Sequence, residues 1–225
     1  MQGLVIAIDG PAGAGKSTIA KIVAKKLGYV YIDTGAMYRA VAWKVLAEKK
    51  LDDEMTDAFI INAAKNIDID LKYENDKTVV RVNGTDVTNE IRTPEVSGAV
   101  SQVAKLPEVR EKMVTLQRKM GENGAIVMDG RDIASHVLPN ADVKIFLTAS
   151  IDERARRRCK EMTEKGYDVS LDEIKRDIAA RDKADTERKV SPLVRVPDAE
   201  LVDTTGMSID EVTQKILSIA EAKRS

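Results

Sequence analysis

The chain has 225 residues, 43% of them hydrophobic and 32% charged, with a formal net charge of −1. This composition excludes a disordered or fibrous polymer and leaves no general field for nucleic acid or acidic lipid, so any positive site must be local. The single cysteine, Cys159, excludes an internal disulfide and a cysteine-rich zinc site.

The length suits one α/β domain carrying an insertion. No apolar stretch approaches the roughly 18 residues needed to span a bilayer. The first apolar run, Leu4–Ile8, has no basic segment before it and stops at Asp9, so it reads as a strand and not as a signal peptide. The cytosol is the expected compartment, with neither membrane nor nucleic acid as partner.

After that strand comes Gly10-Pro11-Ala12-Gly13-Ala14-Gly15-Lys16-Ser17-Thr18, the G-x-x-x-x-G-K-[ST] spacing of a phosphate-binding loop. Its glycines let the backbone turn tightly and bring N–H groups to phosphate oxygens, helped by the positive end of the next helix. Lys16 is placed to reach the β- and γ-phosphates, and the Ser17 hydroxyl to ligate Mg²⁺. Ile19, Ile22, Val23 and Leu27 recur at helical spacing, and Gly28 supplies the stop. Strand, loop and helix agree, which implies a bound nucleoside triphosphate.

Tyr29–Ile32 reads as a second strand, followed by a helix with Met37, Val41 and Val45 on one face. Residues 66–92 break the pattern. There Ile67–Tyr73 and Thr78–Val82 alternate apolar with polar, and Asn83-Gly84 is a hairpin signal, so a small antiparallel insertion is expected. Thr93-Pro94 starts a helix, and Met113, Leu116 and Met120 form a stripe expected to pack into a core. Ala125–Met128 is a third strand running into Asp129-Gly130-Arg131-Asp132. Val143–Leu147 is a fourth, and Leu201-Val202 a short fifth. Capping boxes are expected at Ser150/Glu153, Ser170/Glu173 and Ser208/Glu211. The alternation implies a parallel sheet covered by helices on both faces, with ligands beyond the carboxyl ends of its strands.

Arginines gather at that end. Arg39 follows strand two, Arg131 and Asp132 follow strand three, and Arg154, Arg157 and Arg158 follow strand four. Arg181, Asp185 and Arg188 share one helix face if their helix persists. Converging cations suit phosphoryl transfer, in which catalysis is mostly positioning and charge stabilisation. Asp129, ending an apolar strand, is the candidate Mg²⁺ acid beside Ser17. A guanine-nucleotide switch fits less well. Asp203-Thr204-Thr205-Gly206 has D-x-x-G spacing but falls late, and no N-K-x-D segment exists.

Taken in order, Gly10–Thr18, Asp33-Thr34-Gly35-Ala36-Met37-Tyr38-Arg39, Ile91–Val96, Ser101–Ala104, Asp129–Asp132 and Arg181 to Arg188 resemble bacterial cytidylate kinases over essentially the whole chain. The resemblance implies ATP- and Mg²⁺-dependent phosphorylation of CMP and dCMP by a monomer with the nucleoside monophosphate kinase fold. It further implies a core at 1–33 and 125–225, a lid near 154–190, and a monophosphate-binding arm at 34–124 holding the antiparallel insertion.

By the same resemblance, Ser101, Arg110 and Asp132 take the base, and Arg39, Arg131 and Arg188 the acceptor phosphate, with Thr34 and Tyr38 alongside. Asp185 takes the sugar hydroxyls, and Arg181 bridges sugar and phosphate contacts. Arg154, Arg157 and Arg158 face the triphosphate, without a choice among them. Lys16, Arg131, Arg158, Arg181 and Arg188 are the implied catalytic cations.

Overall fold

A computed structural model describes residues 3–49, 54–74, 77–164 and 166–224. The polar gap at 75–76 and Lys165 of the expected lid lie outside the described residues. The chain divides into two compact units, residues 1–31 with 124–225, and residues 32–123.

The first unit is built on β1 (Val5–Asp9), buried through four of its five residues because it lies between two other strands. It pairs in parallel with β6 (Ile126–Gly130) and β7 (Val143–Thr148), and β7 pairs in parallel with β8 (Glu200–Asp203). With β2 (Val30–Asp33) beside β6, the order is β2-β6-β1-β7-β8. Two strands outlast their apolar runs. The ladder continues to Asp9↔Gly130 and Thr148↔Asp203, so Asp129 sits inside β6 and not beyond it. Ile6, Ile8, Met128, Ile145 and Leu147 are fully buried and form the sheet's contribution to the core.

Helix α1 (Lys16–Leu27) packs on β6 and stops at Gly28, whose left-handed φ of 68° turns the chain so that the Tyr29 N–H reaches the Ala24 carbonyl at 2.8 Å. Helices α6 (Ile151–Glu164) and α7 (Leu171–Glu187) pack together through Ala155, Ile174 and Ile178, with Cys159 partly buried beside them. Helix α8 (Ile209–Ala222) covers α1, and its Arg224 extension donates to and stacks on Tyr29.

One of the three expected capping boxes is complete. Ser208 accepts from the Glu211 N–H while Glu211 accepts from the Ser208 N–H. Ser150 accepts from the Glu153 N–H, but the Glu153 carboxylate pairs with Arg156 and Arg157 instead of reaching back. Ser170 makes no side-chain cap bond. Nearby guanidiniums outcompete a neutral N–H for a carboxylate.

The second unit wraps around α2 (Thr34–Glu48), whose Met37, Ala40, Val41 and Val45 are fully buried. Its N-cap is Asp33, which accepts from the Ala36 N–H. Around it lie α3 (Asp57–Lys65), α4 (Pro94–Ala104) and α5 (Pro107–Gly121). A three-stranded antiparallel sheet of β3 (Ile69–Glu74), β4 (Lys77–Val82) and β5 (Thr85–Asp86) completes this unit. Asn83 and Gly84 both take positive φ, 49° and 82°, which turns β4 into β5. Met113 is fully buried, with Leu116 and Met120 packed against the same core.

Candidate active site

The phosphate-binding loop joins β1 to α1. Gly10 takes φ 150°, and a Cβ built there would stand 1.9 Å from the Leu147 carbonyl oxygen, so only glycine fits. Pro11, Ala12 and Ala14 are buried, Gly13 is exposed, Gly15 is the N-cap of α1, and Thr18 faces solvent. Lys16 is 5% exposed and donates to the Pro11 carbonyl at 2.7 Å. Burial pushes its ammonium well below the ordinary lysine range. The charges of Arg131 and Arg181 act in the same direction, against Asp129 and Asp9. Lys16 thus feels the positive charge of both arginines, and a bound polyanion would relieve that repulsion.

Ser17 and Asp129 meet as expected, with Ser17 Oγ donating to Asp129 Oδ2 at 2.8 Å. The other carboxylate oxygen accepts from Tyr31 Oη at 2.7 Å. One hydroxyl and one oriented carboxylate offer oxygen ligands only. Mg²⁺ takes such a set, since it keeps several waters and needs few protein ligands. Among the described residues no group of three or more His, Cys, Asp or Glu gathers as a metal cage.

After β6 the chain enters a π-helical turn, Ile133–Val137. Asp9 accepts from the N–H groups of Ile133 and Ala134, both at 2.8 Å. Burial raises its pKa to about 6. The two N–H bonds resist that shift, the Asp132 charge adds to it, and Lys16 opposes it.

Asp132 is 4% exposed. Arg131 Nε donates to Asp185 Oδ2 at 2.8 Å, and Arg188 lies 3.7 Å from Asp185 and 3.8 Å from Asp132. Burial disfavours the Asp185 carboxylate, but the Arg131, Arg181 and Arg188 charges outweigh it and hold its pKa below the usual range. Arg188 is not on the helix with Arg181 and Asp185, because α7 ends at Glu187 and Arg188 is extended. It reaches the same carboxylate from the following loop, where its Nε donates to the Ser191 carbonyl.

The α6 arginines part company. Arg154 is buried, its Nε donating to the Ala149 carbonyl and its Nη1 donating to both the Ala12 carbonyl and Asp182 Oδ2. Its guanidinium thus braces the phosphate-binding loop from the side. Arg157 donates to the Glu153 carboxylate and to both the hydroxyl and the carbonyl of Thr204. Arg158 pairs only at the surface, with Glu161, among its described contacts.

In the second unit, Arg39 pairs with Asp33 at 3.2 Å, and Arg92 approaches the same carboxylate at 3.8 Å. Arg110 is buried with its guanidinium 5.3 Å from the Tyr38 ring centroid, donating to the Ala104 carbonyl. Thr34 is buried in the first turn of α2, while Ser101 is exposed on α4.

The sequence reading missed Tyr31 and Asp182. No spacing links Tyr31 to Asp129, which lies 98 positions away, or Asp182 to Arg154. Asp9 was visible only as a strand-end acid. No helix among the described residues is long and apolar enough to cross a membrane.

A family profile described as cytidylate kinase matches residues 6–222. A cytidylate kinase from Bacillus subtilis (strain 168) is 56% identical over 221 residues, covering 98% of this chain and 97% of the relative. One from Geobacillus sp. (strain WCH70) is 54% identical over 219 residues, covering 97% and 96%. Among solved structures, an uncharacterized protein from Eubacterium ventriosum ATCC 27560 superposes with a TM-score of 0.55 at 13% identity. It covers 99% of each chain and speaks to the fold alone. With the phosphate-binding loop, its cations and a profile match across nearly its whole length, the chain belongs to the cytidylate kinase family.

Proposed function

We propose that this enzyme transfers the γ-phosphoryl group of ATP to CMP and dCMP, giving CDP and dCDP, with ATP and Mg²⁺ as its co-substrate and cofactor. The observation that carries the reading is the phosphate-binding loop itself, where the Leu147 carbonyl admits only glycine at position 10, buried Lys16 donates to the Pro11 carbonyl, and Ser17 donates to Asp129 at 2.8 Å. Loop N–H groups and the α1 N-terminus take the phosphates, and Lys16 reaches the β- and γ-phosphates. Ser17 and Asp129 would hold Mg²⁺, which would neutralise charge at the phosphate oxygens.

The attacking group is a phosphate oxygen of CMP, already ionised at neutral pH. It forms a P–O bond to the γ-phosphorus while the bond to the β,γ-bridging oxygen breaks, and ADP leaves with that electron pair. No protein base is needed. Arg131 and Arg188, aimed by Asp185, serve the acceptor phosphate, and Arg181 serves the charge moving between donor and acceptor. Arg157 and Arg158 serve the donor nucleotide, and Arg154 acts through the loop it braces.

The second unit is the monophosphate arm. On the family resemblance, its Arg39, Thr34 and Tyr38 serve the phosphate and its Ser101 and Arg110 the base. The first unit is the core, with residues near 154–190 as lid. The enzyme works as a monomer in the cytosol.

Asp132 chooses the base. An ionised carboxylate only accepts hydrogen bonds, so it suits the exocyclic amine of cytosine and repels the carbonyl of uracil. A coupled ADP-release assay across CMP, dCMP, UMP, AMP, GMP and dTMP should show CMP and dCMP as the strongly preferred acceptors. Asp132→Ala should narrow the CMP-to-UMP ratio of kcat/KM by about tenfold. Absence of CDP with Mg²⁺ and ATP present would overturn the activity, and undiminished selectivity in the variant would overturn the role of Asp132.

A further inference from the structure

We infer that Asp9 is a positioning residue for base selection, acting through the backbone of the turn that carries Asp132. The inference rests on the reading of Asp132 as the base-selective carboxylate. Asp9 ends β1, is 2% exposed, and spends both carboxylate oxygens on two successive N–H groups, Ile133 and Ala134, each at 2.8 Å. A buried carboxylate is costly to keep charged unless it is hydrogen-bonded, so these bonds fix it as firmly as it fixes them.

The first of those N–H groups belongs to the peptide that follows Asp132. The carbonyl of that same peptide accepts from the N–H groups of His136 at 2.9 Å and Val137 at 3.2 Å. Both polar ends of the Asp132–Ile133 peptide are therefore held, one by the π-turn and the other by Asp9. Asp132 itself stands outside helical geometry, at φ −143° and ψ 26°. The Ile133 side chain is fully buried directly after it, so the peptide has little freedom to swing.

Asp9 also immediately precedes Gly10, the first residue of the phosphate-binding loop. Its bonds thus tie the loop for the donor to the turn for the acceptor base. Asn has the same shape but presents one oxygen and one NH₂. It can accept one of the two N–H groups and must turn a donor toward the other.

The experiment compares the full-length enzyme with Asp9→Asn. Amide hydrogen exchange is followed at Ile133 and Ala134, together with KM for CMP, ATP affinity and the CMP-to-UMP ratio. Expected results are faster exchange at one or both amides, and a KM for CMP raised about tenfold, with ATP affinity reduced by a clearly smaller factor because the lost charge also acts on Lys16. The CMP-to-UMP ratio should shrink by about tenfold. An equal loss of ATP and CMP binding would overturn the inference, as would unchanged CMP parameters.

Rapid exchange of both amides in the unaltered enzyme would overturn it without any variant. Asp9→Ser, which removes the carboxylate but adds no donor of comparable reach, gives a second measure should Asp9→Asn not fold. Asp132→Ala separates the two readings. If that variant keeps full selectivity, the reading of Asp132 fails. If it loses selectivity and Asp9→Asn does not, the inference about Asp9 fails.

Discussion

Replacing Arg154 by Met tests the brace beneath the phosphate-binding loop. Met fills most of the aliphatic volume but makes none of the three hydrogen bonds, to Ala149, Ala12 and Asp182. The Arg154 side chain is 8% exposed and that of Asp182 is 23%, and Asp182 Oδ1 is buried with no hydrogen-bond partner among the described residues. Breaking a fully buried pair costs about 3–5 kcal/mol, and the partial exposure of Asp182 moves this case to the lower end. Allowing for relaxation at the two carbonyls, the loss should be about 3 kcal/mol. At 2–4 °C per kcal/mol for a chain of this size, the melting temperature should fall by about 6–12 °C.

Thermal unfolding followed by circular dichroism reads the shift, and titration with a fluorescent ATP analogue reads the loop. Freeing the Ala12 carbonyl should weaken ATP binding as well as stability. Arg154→Met combined with Asp182→Asn should recover part of the loss, because the stranded charge is gone. A melting temperature within about 2 °C of the unaltered enzyme, with ATP affinity intact, would refute the reasoning.

Gly10→Ala drives a Cβ into the Leu147 carbonyl at a backbone angle that side chains rarely adopt. It should abolish ATP-analogue binding or cost about 3 kcal/mol or more in unfolding. Tyr31→Phe removes a hydrogen bond that orients Asp129 and should weaken Mn²⁺ binding, measured by electron paramagnetic resonance, by about tenfold. Ser208→Ala dismantles the one complete capping box and should destabilise α8 by about 1 kcal/mol in thermal unfolding, with kcat unchanged.

Local chemistry was legible in the sequence wherever neighbours along the chain decide the outcome. The phosphate-binding loop, the Asn83-Gly84 turn, the Thr93 cap and the Ser208 box all appear where their residue types demand. The expectations failed where several charged groups compete for one carboxylate, or where the partner lies far along the chain. Glu153 left its capping box for Arg156 and Arg157, and Arg188 fell outside α7 yet still faces Asp185 through a loop. Arg154 looked like its neighbours on α6, and only the close approach of Ala12 and Asp182 sets it apart. Tyr31 and Asp9 act through partners over ninety positions away, which no periodicity encodes.

The strand β1 that begins this nucleotide site finds its lateral partners only at Ile126 and Val143. Synthesis must therefore pass through the entire 32–123 unit before the first strand can be enclosed. Gly10 has nothing to rest against until Leu147 emerges, and Ala12 has no guanidinium until Arg154 does. On the ribosome the 32–123 unit has the opportunity to settle first, and a truncated nascent chain ending before β7 should carry the glycine-rich segment yet fail to retain ATP.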